Sequence, residues 1–172
     1  MTAPRGRVLV CAGSDSGGGA GIQGDIKAIT ALGGFAATAV TALTAQNTLG
    51  VQGVVGVAAD FIRLQIRMVL EDIGADAIKT GMLADSATIE AVCGALEVYG
   101  PGIPLVADPV MVAKGGHPLL AAEAVATLKA RLMPMAAIIT PNLPEAEALT
   151  GLTIATVDDM KRAADALLRQ GV

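Results

Sequence analysis

The chain has 172 residues, a formal net charge of −4, and a composition that is 53% hydrophobic but only 2% aromatic. A pI near 4.9, with one Tyr, two Phe and no Trp, argues against a nucleic-acid partner, which calls for a basic stripe against phosphates and aromatic platforms for bases. Mean hydropathy is high at +0.61, yet no stretch reaches the roughly 18 uninterrupted apolar residues of a bilayer crossing, so no membrane partner is expected.

A chain of this length suits about one domain, with a core of Ala, Val, Ile, Leu and Met. Arg5 and Arg7 precede an apolar run that glycines and Asp15 interrupt too soon for a signal peptide. The cytoplasm is therefore the expected compartment. Cys11 and Cys93 have neither zinc-ligand spacing nor a Cys-x-x-Cys pattern and read as buried, reduced thiols.

The first predicted strand, 8–11, runs into Ala12-Gly13-Ser14-Asp15-Ser16-Gly17-Gly18-Gly19-Ala20-Gly21-Ile22-Gln23-Gly24-Asp25 and a predicted helix over 22–32. Glycines here permit positive φ and clear side chains away, so a small ligand is expected against main-chain N–H groups at the helix start, beside Asp15 and Asp25. The plainer reading is a tight turn capped by Asp15. Gly19-Ala20-Gly21-Ile22-Gln23-Gly24 matches the dinucleotide pattern in form only. That pattern begins directly after its strand and needs an acidic residue about twenty positions on, whereas no Asp or Glu occurs between Asp25 and Asp60. No Gly-Lys-Ser/Thr of a Walker loop occurs either.

A second strand, 38–43, leads to Gln46-Asn47-Thr48, where an amide could read a heteroaromatic edge through paired donor and acceptor groups. A helix follows over 58–72, with Phe61, Leu64 and Met68 at helical spacing and Arg63, Arg67 and Glu71 on a charged face. Next come strand 77–80, helix 86–99, strand 105–106, helix 121–132, strand 136–139, helix 143–150 and helix 157–170. The last helix starts at N-cap Thr156 with Asp158 and Asp159 in its first turn. Asp108, Asn142 and Glu145, at the ends of two strands expected to be adjacent, could surround a hydrated Mg²⁺, which binds through one or two carboxylates plus substrate phosphates. Asn142 with Glu145 at N3 also reads as a capping box, and the two roles can coexist. His117 reads as a loop residue, while Lys114 is either a solvated lysine or an ammonium for a phosphate.

Strand alternating with helix predicts right-handed crossovers and an α/β fold: a doubly wound, mainly parallel sheet with helices on both faces. Its ligands belong beyond the carboxyl ends of the strands, where Asp15, Gln46, Met82, Asp108 and Asn142 are expected. Helix 157–170 has no strand after it, so the sheet reads as incomplete at its C-terminal side, through either further polypeptide or a weakly stable fragment.

Ala12-Gly13-Ser14-Asp15 with Gly18-Gly19-Ala20-Gly21-Ile22-Gln23, Thr41-Ala42-Leu43-Thr44-Ala45-Gln46-Asn47-Thr48, Lys79-Thr80-Gly81-Met82-Leu83, Asp108-Pro109-Val110-Met111 and Thr140-Pro141-Asn142-Leu143-Pro144-Glu145-Ala146 occur in this order. Together they resemble the hydroxymethylpyrimidine and phosphomethylpyrimidine kinases of thiamine biosynthesis, in the ribokinase-like superfamily. The resemblance covers 8–172 and implies one ribokinase-like domain over 1–172, corresponding to the family's N-terminal two thirds. It implies ATP and Mg²⁺ as cofactors and a hydroxymethylpyrimidine as the small-molecule substrate. Gln46 would hydrogen-bond the aminopyrimidine and Thr44 would offer a main-chain contact. Ala20 and Met82 would line the ring pocket, with Asp25 and Val110 as further contacts. Asp108 and Glu145 would serve Mg²⁺, and Asn142 the ATP phosphates, while Lys114 to His117 only mimics a lysine-glycine-glycine-histidine motif that the family places later.

The family's Gly-Thr-Gly-Cys segment, which supplies an anion hole and the proposed catalytic cysteine, has no match here. No catalytic residue is therefore assigned, and the chain alone is expected to be inactive. A pyridoxal kinase of the same superfamily and a non-catalytic pyrimidine-binding module are the alternatives. A homodimer is expected from an exposed sheet edge and the family's habit.

Overall fold

The short apolar runs do become strands of one sheet. The computed structural model describes residues 4–111, 119–121 and 123–172; Lys114 and His117 lie outside them. In chain order the elements are β1 (Arg7–Asp15), α1 (Gly21–Ala31), β2 (Phe35–Asn47), β3 (Gly50–Gly56), α2 (Ala59–Asp72), β4 (Ala77–Thr80), α3 (Ser86–Tyr99), β5 (Leu105–Ala107), α4 (Ala124–Thr127), β6 (Ala136–Ile139), α5 (Leu143–Thr150) and α6 (Val157–Arg169). The sheet order is β3-β2-β1-β4-β5-β6. Every pairing is parallel except β2 with β3.

Alternation along β1 sends its side chains to two layers. Leu9 and Cys11 join Ile78, Ile62, Ile66, Ile89, Val92 and Leu96 in the larger core, beneath α2 and α3. Val10 and Ala12 face the other way, onto Ile22 of α1. Helices thus cover both faces, as expected. Each large aliphatic side chain taken from water on these faces contributes on the order of 1.5–3 kcal/mol. Cys11 and Cys93 are free and buried, and burial pushes both thiols up to about 12, which makes them poor nucleophiles.

Four expectations need correction. Strand and helix do not alternate throughout, because β2 turns directly into the antiparallel edge strand β3. Gly50, Gly53 and Gly56 dilute the apolar pattern of β3 and hide it from a periodicity reading. The strands also run further than expected, so Asp15 ends β1 and Gln46 lies within β2. On α2 the fully buried residues are Ile62 and Ile66, whereas Phe61, Leu64 and Met68 are 56%, 40% and 57% exposed. Both stripes have helical spacing, and only the position of the sheet chooses between them. The helix expected over 121–132 is α-helical only in α4, and then widens to a π turn at Leu128–Leu132 and tightens to a 3-10 turn at Met133–Met135. Pro134, which has no N–H to give the preceding turn, stands at that junction.

Both sheet edges carry apolar side chains. On the β2–β3 side, Leu43 and Val55 are cross-strand partners and both are exposed. On the other, Ile138 of β6 is 55% exposed beside an apolar groove of about 370 Å³ lined in part by Leu143, Ile154, Met160 and Leu168. Among the described residues, no helix is long and apolar enough to cross a membrane.

Candidate active site

Strand order reverses on either side of β1, and the carboxyl ends of β1, β2, β4 and β5 surround a cavity of about 480 Å³. This is the crevice in which open α/β sheets take their ligands. Ala20, Asp25, Thr44, Gln46, Met82, Val110 and Asp108 all line it, together with Lys79.

The glycine-rich turn is built around Asp15. Gly17 N donates to Asp15 Oδ1 at 2.7 Å, while Gly19 N and Ala20 N donate to Oδ2 at 3.0 and 2.8 Å. Burial alone would raise the Asp15 carboxyl, but these N–H groups outweigh it and hold the pKa below the ordinary value. Asp15 thus already uses the amides of Gly17, Gly19 and Ala20, whereas the first turn of α1 has no side-chain cap. Gly21 adopts φ +53°, and a Cβ there would lie 2.4 Å from Gly13 O, so the first turn of α1 can pack against β1 only with glycine at that position. Gln23 completes the link, accepting from Asp15 N at 2.8 Å and donating to Ser14 Oγ at 2.7 Å.

Gln46 is held from two sides. Its main chain exchanges 2.8 Å hydrogen bonds with the Ser16 hydroxyl, and its Oε1 faces Thr44 Oγ1 at 3.3 Å. That contact aims the amide at the cavity with its NH₂ group available. Thr44 Oγ1 also lies 3.0 Å from Ser14 O, so its single proton bridges β2 to β1. Met82 is fixed from behind by Thr41, whose hydroxyl donates to Met82 O at 2.7 Å. Gln46, on β2, and Met82, after β4, thus approach one cavity from the two sides of β1, as suits a flat ring with a polar edge.

A residue without an assigned role in the sequence reading stands at the centre. Lys79 Nζ lies 2.8 and 3.0 Å from the two oxygens of Asp25 and 3.4 Å from Asp108 Oδ2. It links α1, β4 and the end of β5. The signal was a lysine inside an otherwise apolar strand, where a charge persists only when paired.

Asn142 and Glu145 sit apart from the cavity lining. Glu145 N donates to Asn142 Oδ1 and Asn142 N to Glu145 Oε2, both at 2.9 Å, forming the expected capping box. Met111 N, 3.4 Å from Glu145 Oε1, ties the Asp108-Pro109-Val110-Met111 segment to this cap. Among the described residues, no cluster of three or more His, Cys, Asp or Glu could hold a metal ion. Two carboxylates still match Mg²⁺ in kind, because that ion keeps several waters and completes its shell with phosphate oxygens.

A doubly wound sheet with a cavity at its switch point is a ligand-binding α/β architecture, and solved small-molecule kinases share this shape. The phosphomethylpyrimidine kinase of Clostridium difficile 630 has a TM-score of 0.89 and 47% identity, covering 96% of this chain and 71% of its own. The Staphylococcus aureus pyridoxal kinase solved with pyridoxal has a TM-score of 0.87 and 34% identity, covering 99% and 61%. The Phosphomethylpyrimidine kinase family model matches residues 15–172, and the chain belongs to that family. The Bacillus subtilis (strain 168) hydroxymethylpyrimidine/phosphomethylpyrimidine kinase is 53% identical over 165 residues, 96% of this chain. The chain spans 60% of that relative's length.

Proposed function

We propose that this chain carries the pyrimidine-binding and metal-binding part of a kinase that phosphorylates 4-amino-5-hydroxymethyl-2-methylpyrimidine and then its monophosphate, using ATP, in thiamine biosynthesis. The observation that carries this reading is the convergence of Gln46, Thr44, Ala20, Met82, Asp25 and Val110 on the cavity that also holds Asp108. Gln46 binds the aminopyrimidine edge, Ala20, Met82 and Val110 pack on the ring, and Thr44 and Asp25 complete the polar contacts. Asp108 and Glu145 hold hydrated Mg²⁺, while Asn142 and Lys114 meet ATP phosphates. A metal held by these two carboxylates would supply neutralisation of charge on the transferring phosphoryl group.

Residues 1–172 make up the N-terminal two thirds of one ribokinase-like domain in this reading, and the open β6 edge and its groove are what further strands would cover. Because these residues contain no Gly-Thr-Gly-Cys, they bind substrate without transferring phosphate by themselves. The protein works in the cytoplasm as a homodimer through the exposed β2–β3 edge. Pyridoxal is the less favoured substrate: the pyridoxal kinase cited above is 34% identical, against 47–53% for the two pyrimidine kinases.

Calorimetric titration tests the reading, after the intact mass has verified that the protein is 17.1 kDa. The hydroxymethylpyrimidine is expected to bind more tightly than pyridoxal, and Gln46→Ala to weaken the pyrimidine at least tenfold while changing pyridoxal less. Equal binding of both alcohols, or no effect of Gln46→Ala, would remove the assignment of Gln46. ADP release above background would refute the inactivity of the 172 residues.

A further inference from the structure

We infer that Lys79 is the subsite for the phosphate of the phosphorylated substrate, and so decides between the pyrimidine alcohol and its monophosphate. The inference rests on the proposed function, which requires one cavity to accept a neutral alcohol and then a phosphomonoester.

The cavity wall is poor in groups that welcome an anion. Of its three aspartates, Asp15 has taken the amides of Gly17, Gly19 and Ala20. Asp25 and Asp108 both face the same space. Among the described residues, Lys79 is the one cationic side chain lining the cavity. Its ammonium has three donors. Asp25 is close on both oxygens, at 2.8 and 3.0 Å, within the usual range of a neutral or charged bond. Asp108, at 3.4 Å, is well beyond the roughly 2.7–2.9 Å of a charge-assisted bond.

The donor toward Asp108 is therefore the weakly used one, and a phosphate oxygen can take it without disturbing the Asp25 pair. Lys79 keeps a side-chain exposure of 25%, so that donor is reachable from the cavity. Its position on β4, between the neighbours of the pyrimidine ring and Asp108, puts the positive charge at the reacting end of the pocket. The alcohol draws little from it, whereas a phosphomonoester draws a full ionic hydrogen bond.

The test is calorimetric titration of the protein, in magnesium-containing buffer, with the hydroxymethylpyrimidine and with its monophosphate. Lys79→Gln is expected to lower affinity for the monophosphate at least tenfold more than affinity for the alcohol, and Lys79→Arg to restore most of the difference. Because Lys79→Gln strands Asp25, the comparison is repeated in Lys79→Gln/Asp25→Asn, which removes both charges and protects the fold. The same preferential loss is expected there. An equal loss for both ligands, no loss for either, or a wild type that binds the alcohol but not the monophosphate would overturn the inference. A wild type that binds neither pyrimidine would instead overturn the proposed function on which it stands.

Discussion

A carboxylate that accepts several backbone N–H groups is a folding device before it is a ligand for anything else. Asp15 closes the turn between β1 and α1 through Gly17, Gly19 and Ala20, and Asp15→Asn leaves part of that set unpaired inside the protein. The expected loss is about 2 kcal/mol of stability, the usual scale for hydrogen bonds to a charged group, read from urea unfolding near neutral pH. Its pH dependence has a definite sign. The folded pKa is held below the ordinary carboxylate value, so the contribution is complete above about pH 4, near the unfolded pKa, and fades as pH falls through the folded value. The gap between wild type and Asp15→Asn should therefore shrink steadily below about pH 4. A gap that stays constant down to acid unfolding would show that the charge of Asp15 contributes nothing.

At the scale of elements, α2 carries two apolar stripes and buries one. Ile62 and Ile66 are fully buried where α2 packs on β2 and α3, while Phe61, Leu64 and Met68 face outward. Ile66→Ala is expected to cost about 3 kcal/mol through lost burial and a residual cavity, and Met68→Ala to stay within about 0.5 kcal/mol, both by thermal or denaturant melts. Equal costs would put the helix in the other rotation. Capping was easier to read from the sequence, since it depends on neighbours in the chain. Asn142 and Glu145 close α5, and Thr156 with Asp159 closes α6, both as full capping boxes. Asp159 also pairs with Arg162, and its carboxyl is held low, first by the Thr156 hydroxyl and then by Arg162.

For the whole molecule, the two sheet edges are the places where this fold meets something else. On the β3 side, Leu43 and Val55 oppose each other across the strand pair and are 53% and 67% exposed. In the homodimer proposed above, Val55→Asp is expected to shift the protein from dimer to monomer in sedimentation velocity, because a carboxylate there would have to be desolvated without a partner. Sedimentation as a monomer by the wild type, or an unchanged dimer in the variant, would count against that edge as the interface.

Residue order reached the doubly wound class, five of the six strands among the described residues and the caps of α5 and α6, and the family resemblance pointed to Ala20, Asp25, Thr44, Gln46, Met82, Asp108 and Val110, which line one cavity. Strands announce themselves by short apolar runs, caps by residues three apart, and the site by motifs at strand ends, all signals local in the chain. What waited for the folded molecule was of another kind. The β2–β3 hairpin, the buried stripe of α2, the spending of the loop amides on Asp15, and the meeting of Lys79 with Asp25 across 54 positions each depend on which surface lies opposite. Periodicity shows that a segment has faces, but only the packed sheet determines which face turns inward and which distant charges must share one cavity.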